Sequence, residues 1–278
     1  MKNALMLGTF DGVHKGHLKV LSPEGDYRKI AVTFSKSPKS VMSGKNEAIM
    51  TFEDRCDILK KVGVDEVHPL DFITVKDIEA EDFLNGLYEE YKPALISCGF
   101  NYKFGKNGKG DHRLLQDFCK KKGITLRCVD PVVIGGQTVS STLIRNFLKN
   151  GEIEKANELL SEPFGFKATV RHGAQRGRTI GFPTINQEYP KELVKLKFGV
   201  YKVKISLDLK EYMGIADIGL RPTYPSDVVI SETFIKDFDG DLYEKNVKIT
   251  PLEFLRGEMK FDSLEALKKQ IEDDIKRI

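Results

Sequence analysis

At 278 residues the chain is long enough for two domains, each with an apolar core of its own. Charged residues at 31% and hydrophobic residues at 40% are ordinary globular proportions, which excludes a disordered, collagen-like or disulfide-stapled chain. With 44 basic against 41 acidic side chains the formal charge is +3, which supplies no field for a nucleic-acid backbone but leaves room for a local phosphate pocket.

Residues 3–7 (NALML) and 29–34 (KIAVTF) read as buried strands, each followed by polar or glycine-containing sequence. Cys56, Leu59 and Val62 share a helical face, residues 79–91 form a second helix candidate, and residues 94–98 (ALISC) return as a strand. Leu114, Leu115 and Phe118 mark a further helix before a strand at 125–129, an alternation that predicts a parallel α/β sheet. Helical spacing then occurs twice over residues 142–160, broken at Asn150 and Gly151. Beyond Pro163 the composition changes, with strands expected at 167–171, 200–207, 212–218, 228–235 and 247–250. A small antiparallel barrel closes so many short strands without long exposed edges. The last element is a helix with Asp262 as cap, Glu265 completing a capping box, and Leu264, Leu267, Ile271 and Ile275 on one core-facing stripe. The expected domains are residues 1–161 and 162–278.

No apolar run reaches the length of about eighteen residues that marks a membrane helix. Cys56, Cys98, Cys119 and Cys128 form no Cys-x-x-Cys pair. The expectation is a cytoplasmic protein with no membrane, nucleic-acid or obligate protein partner and no zinc site.

The segment GTFDGVHKGH, residues 8–17, directly follows the first strand, where an open α/β sheet places its ligands. Glycines there let the backbone approach an anion, which puts Gly8, Thr9 and Phe10 beside a bound nucleotide, and a helix starting near Gly16 aims unpaired amides at it. His14 and His17 add side-chain donors for the nonbridging phosphate oxygens on which charge must be stabilised in phosphoryl or nucleotidyl transfer. Ser140, Ser141 and Thr142 can cap a helix, and the same helix start is an anion site; Arg145, one turn on, can bridge the outer phosphates and stabilise departing pyrophosphate. Between the two, GFNYKFG at 99–105 holds Asn101 among aromatics that either pack a loop or flank a planar ring.

A second glycine and arginine segment, HGAQRGR at 172–178, carries Gly173, Gly177 and Arg178 and reads as a clamp over polyphosphate or as a solvated basic hairpin. Thr184 and Asn186 stand two apart, so in an extended segment both face one way with neutral oxygens suited to a hydrated magnesium ion already held by nucleotide phosphates. Glu232, in an alternating strand, is by itself an exposed acid. In a site that phosphorylates an alcohol it is the base such a reaction needs.

The blocks GTFDGVHKGH, FNYKFGKNGKGD, SSTLIR, HGAQRGRTIGFPTIN, GLRPTY, ETFIKDFDGDLY and LRGEMKFDSLEAL, in that order, resemble the bacterial bifunctional riboflavin kinase/FAD synthetase family across nearly the whole chain. HKGH at 14–17 is similar to the His-x-Gly-His signature of nucleotidylyltransferases. The resemblance implies a Rossmann-like α/β FMN adenylyltransferase domain, then a small antiparallel β-barrel flavokinase domain with a C-terminal helix. The first would make FAD and pyrophosphate from FMN and ATP, the second FMN and ADP from riboflavin and ATP, with Mg2+. It further implies that His14, His17, Ser141, Thr142 and Arg145 hold ATP with Asn101 near the substrates, that Thr184 and Asn186 bind magnesium, that Glu232 is the base, and that Arg256 and Phe261 help cover the flavin. The chain departs from the pattern in a short connection between His17 and Ile30, in Ser35-Lys36-Ser37-Pro38 where Pro-His-Pro is usual, in Leu143 for a frequent arginine, Ile185 for alanine and Asp217 for asparagine.

Overall fold

The computed structural model describes residues 1–173, 177, 180–207, 210–221 and 228–278. They form two units, Met1–Leu143 with Leu159–Glu162, and Ile144–Glu158 with Pro163–Ile278.

In the first unit β1 (Lys2–Leu7), α1 (Lys15–Leu21), β2 (Tyr27–Phe34), α2 (Pro38–Ser43), α3 (Phe52–Lys61), β3 (Glu66–Leu70), α4 (Phe72–Val75), α5 (Ala80–Tyr91), β4 (Leu95–Gly99), α6 (His112–Lys122) and β5 (Thr125–Val129) follow one another. A hairpin of β6 (Val133–Ile134) and β7 (Gln137–Thr138) then leads into α7 (Ser141–Asn150). The five strands lie in the order β3-β2-β1-β4-β5, all parallel. Central β1 shows why. Its alternate residues Leu5 and Leu7 join one core with Leu84 and Leu115, while Ala4 and Met6 join another with Leu21 and Leu59. Both sheet faces are therefore covered by helices, as a parallel sheet requires. The sequence pattern did not reveal β3, because Pro69 interrupts it and only Leu70 is buried; it is an edge strand, where proline is tolerated.

The second unit contains α8 (Ile153–Leu159) and a closed barrel of β8 (Phe166–Arg171), β9 (Thr184–Glu188), β10 (Gly199–Leu207), β11 (Lys210–Leu220), β12 (Val229–Ile235) and β13 (Asn246–Arg256), in the order β10-β11-β12-β9-β8-β13. Strand β13 runs past the expected end at Thr250, carrying Pro251 at a register shift opposite Val203, where a missing amide costs the ladder least. The fully buried Ser231 and Thr233 hydrogen-bond to each other inside the barrel, so Glu232 between them faces outward.

The chain ends in α9 (Leu264–Ile275). Its cap is Ser263, whose side chain accepts from the Ala266 amide at 3.1 Å, and not Asp262. Glu265 then falls one position short of the reciprocal capping-box bond. The apolar stripe divides as well: Leu264 is half exposed, whereas Leu267 and Ile271 line a cavity.

Candidate functional site

In the first unit the strand order reverses around β1, with β2 on one side and β4 on the other. The crevice at the carboxyl ends of β1 and β4 is where a sheet of this topology receives a ligand. Residues 8–14 are held rigidly there. The Gly8 amide donates to Val32 at 3.3 Å. The Thr9 carbonyl accepts from Thr33 Oγ1 at 2.9 Å and from Arg55 Nη1 at 2.8 Å, while Arg55 Nη2 also donates to the carbonyls of Phe34 and Ser35. Phe10 is fully buried, and Asp11 Oδ1 accepts from the Ile49 amide at 2.9 Å. Arg55 was not anticipated as a site residue; its signal is an arginine on the face of α3 that otherwise buries Ile58 and Leu59. Burial pushes its guanidinium below the ordinary value, with Asp11 opposing.

The loop delivers two histidines to the start of α1. His14 caps the helix: its Nδ1 accepts from the His17 amide at 3.3 Å, and His17 Nδ1 accepts from the His14 amide at 3.4 Å. The rings stack with centroids 3.5 Å apart, and a side chain on Gly16 would meet the His14 ring at 3.1 Å, so only glycine leaves that space. With both Nδ1 atoms accepting, each ring carries its proton on Nε2 and presents a neutral donor. The histidines thus build the start of α1 by capping each other, a role that spacing alone did not disclose.

Burial first, then His14 and Arg55, push His17 well below its ordinary value of 6.5. The unfolded chain takes up a proton near 6.5 that the folded unit refuses, so stability is lost as pH falls below that value toward the depressed folded one. The melting temperature of the parent is expected to fall steadily as pH drops from about 7 to 5, and that of His17→Gln to show a shallower dependence over the same range.

At the start of α7 the capping is done by Ser140, whose Oγ accepts from the Leu143 amide at 3.2 Å. That leaves Ser141 to tie the helix to the first loop, through Oγ donating to the Asp11 carbonyl at 2.8 Å, and leaves Thr142 exposed. Arg145 follows one turn along the same helix. Asn101 is exposed just beyond β4. Of its aromatic neighbours, Tyr102 and Phe104 stack on each other and pack into the core, so they are loop packing, and only Phe100 is free to face a ring at 48% exposure.

In the second unit Glu232 on β12 lies opposite Asn186 of β9 and Asp217 of β11, and Phe234 lies opposite Thr184. Cross-strand partners share a face. Of this row Thr184, Asp217, Glu232 and Phe234 line a cavity of about 610 Å³ together with Phe182, Phe261, Leu267 and Ile271, and Glu232 keeps 38% of its side chain exposed. Arg256 and Phe261 both line that cavity, with the guanidinium 5.8 Å from the ring centroid, and Arg256 is held by buried Asp274 of α9 at 2.8 Å. Arg221, which sequence reasoning did not single out, reaches Asp217, Glu232 and Glu258. Its burial disfavours charge, but those three carboxylates outweigh burial and hold the guanidinium above its ordinary value.

Thr184 lines a second cavity too, about 310 Å³, walled by Val170, Ile185, Phe238 and Tyr243. His172 stacks on Tyr243 at its edge, with centroids 3.8 Å apart. Gly173 lies so close to Asn186 that a Cβ would stand 2.5 Å from the amide, so the glycine is what admits that side chain. Gly177 lines the larger cavity, whereas Arg178 and the Pro222, Thr223 and Tyr224 of GLRPTY lie outside the described residues.

Comparison with known proteins places this geometry. The FAD synthetase family model matches residues 1–143 and the riboflavin kinase model residues 160–278. The bifunctional riboflavin kinase/FMN adenylyltransferase of Listeria monocytogenes is 32% identical over 285 residues, 99% of this chain and 90% of its own. The chain belongs to that family. The Bacillus subtilis relative of the same name is 33% identical over 291 residues, 98% of this chain and 90% of its own. A solved Streptococcus pneumoniae structure, described as a macrolide-efflux protein, superposes with a TM-score of 0.90 at 29% identity, over 99% of this chain and 93% of its own. No described helix here is long and apolar enough to cross a membrane. As a bifunctional riboflavin kinase/FMN adenylyltransferase, the chain has the α/β unit and the closed barrel that the resemblance implied, and riboflavin, FMN and FAD as substrates and products.

Proposed function

We propose that residues 1–161 adenylylate FMN and residues 162–278 phosphorylate riboflavin, each with a nucleotide site of its own. The observation that carries this reading is the pair Glu232 and Asp217 on the wall of one cavity, with Asn186 opposite Glu232 in register and Thr184 lining both that cavity and a second. The larger cavity, with apolar walls and Arg256 over Phe261, suits a flavin, and the smaller suits the nucleotide. The transferred phosphoryl group then passes beside Thr184.

In the kinase reaction Glu232 takes the proton of the riboflavin hydroxyl as its oxygen attacks the γ-phosphorus, the bond to the β-phosphate oxygen breaks, and ADP leaves. Thr184 and Asn186 would hold magnesium, which supplies charge neutralisation of the polyphosphate when bound. Their oxygens are neutral, and no three His, Cys, Asp or Glu side chains gather as a metal cluster among the described residues, so the anionic ligands belong to the nucleotide. Gly173, Gly177 and Arg178 belong to the clamp over it.

Adenylyl transfer needs no base, because the attacking FMN phosphate oxygen is already anionic at neutral pH. It attacks the α-phosphorus, and pyrophosphate leaves. The Nε2–H groups of His14 and His17 stabilise the α-phosphate oxygens, while Ser141, Thr142 and Arg145 at the start of α7 receive the outer phosphates. Gly8, Thr9 and Phe10 shape the floor and Asn101 orients the acceptor. The chain acts in the cytoplasm on small molecules alone.

Incubation of the full chain with riboflavin, ATP and magnesium is expected to yield FMN and then FAD on chromatography, and excess chelator to stop both. Unchanged riboflavin together with unchanged supplied FMN would overturn the reading.

A further inference from the structure

The loop between β1 and α1 holds two fully buried, bulky residues in left-handed backbone, Phe10 at φ 47° and Val13 at φ 35°, with Gly12 between them at φ 89°. Side chains with a Cβ, branched ones above all, stay in that region only where their surroundings hold them there. Val13 is held by backbone: its amide donates to the Phe10 carbonyl at 3.0 Å, and its carbonyl accepts from the Ser161 amide at 3.2 Å. Phe10 is held through the peptide before it. The carbonyl of Thr9 accepts from Arg55 Nη1 at 2.8 Å and from Thr33 Oγ1 at 2.9 Å. Arg55 Nη2 also donates to the carbonyls of Phe34 at 2.6 Å and Ser35 at 3.0 Å, so one guanidinium ties the strained loop to the carboxyl end of β2. Arg55 is 4% exposed, its guanidinium lies 5.0 Å from the Phe52 ring centroid, and its Nε is buried with no hydrogen-bond partner among the described residues. Burying a charge with one donor unsatisfied is costly, and costs of this kind collect where they serve a site.

We propose that Arg55 is a positioning residue for adenylyl transfer, bracing the strained turn that aims the His14–His17 pair at the α-phosphate. The inference rests on those histidines being the phosphate donors. Arg55 acts through the loop. Without it the Thr9–Phe10 peptide is free to rotate, Phe10 relaxes out of the left-handed region, and His14, four residues on, loses its place as the cap of α1. The guanidinium has a second effect from the same position. Burial, His14 and then Arg55 all disfavour protonation of His17, so the residue that aims the ring also helps to keep it a neutral donor. Phe10 adds only an uncharged ring edge to His17, while Asp11 and Cys56 act on Arg55 in turn.

The test is the kinetics of FAD formation from supplied FMN by the full chain, with kcat and KM separated, at a temperature below each variant's melting transition. The imidazole NMR signals of the five histidines are followed on the same samples. Arg55→Met is expected to lower kcat by about tenfold to a hundredfold and to change KM for ATP and FMN by less than about threefold, the pattern of an interaction expressed in the transition state. Arg55→Lys, which keeps the charge and can still donate to the carbonyls, returns kcat to within about fivefold of the parent. In Arg55→Met the His14 and His17 signals move, and His17 takes up its proton at higher pH than in the parent, while His68 and His112 of the same unit keep their positions. A merely structural residue would lower kcat in step with the folded fraction and disturb all four. Arg55→Gln carries the same comparison if Arg55→Met does not fold. A parent-like kcat in the folded variant, a loss confined to KM, or no recovery by lysine overturns the proposal. His17→Ala run in parallel separates the failures: if it keeps the parent rate, the assignment of the phosphate donors has failed; if it loses the rate while Arg55→Met keeps it, only the brace has.

Discussion

Glu232→Gln is expected to reduce FMN formation by about a hundredfold to ten-thousandfold while leaving FAD formation from supplied FMN unchanged. The amide fills the same space opposite Asn186 and Asp217 and can still accept from Arg221, so the barrel loses little besides the ability to take a proton. The alcohol then has to attack with its proton still attached. Both rates are measured on the same preparation by chromatography, with riboflavin as substrate in one assay and FMN in the other. A variant that phosphorylates riboflavin within a fewfold of the parent would remove Glu232 from the mechanism, and a variant that lost both activities would show that the two units are not catalytically separable.

The converse result is expected of His17→Ala, which should lower FAD formation by about a hundredfold to a thousandfold, as loss of one preorganised donor to a developing charge does elsewhere, and leave FMN formation intact. More is removed here than one donor. His17 Nδ1 accepts from the His14 amide, and its ring stacks on His14 and meets Phe10 edge-on, so truncation also frees His14 to turn away from the phosphate. The lost cap costs about 1 kcal/mol of stability in the first unit, a small melting shift beside the catalytic loss. His17→Asn, which keeps a donor and an acceptor on a shorter side chain, should recover part of the capping and little of the rate. FAD formation near the parent rate in both variants would mean that the neutral imidazole does not touch the α-phosphate.

Much of the candidate site in the first unit could be proposed from the sequence because its parts are local. A strand, a glycine turn and a helix start are contiguous in residues 8–17, and the residue types that approach an anion declare themselves by glycine and histidine at short spacing. What escaped was the support brought from elsewhere: Arg55 reaches the carbonyls of Thr9, Phe34 and Ser35 from α3, and no periodicity distinguishes such an arginine from a surface one. The same difference explains the aromatic loop. Composition could not tell a ring-binding surface from packing, and the core behind α5 and α6 decided that Tyr102 and Phe104 face inward.

By itself the amino-acid sequence determined the alternation of elements in the first half and the run of short strands in the second, and it singled out Thr184, Asn186 and Glu232 as candidates, all of which depends on neighbours within a few positions. Only the tertiary structure decided which carboxylates share a wall. Asn186, Asp217 and Glu232 become neighbours through barrel register, Arg221 joins the last two from a loop, and Leu267 and Ile271 turn from core stripe to cavity lining because α9 lies beside that wall. Pairing between strands distant in sequence follows from closing the barrel and burying its interior, and no local pattern encodes it.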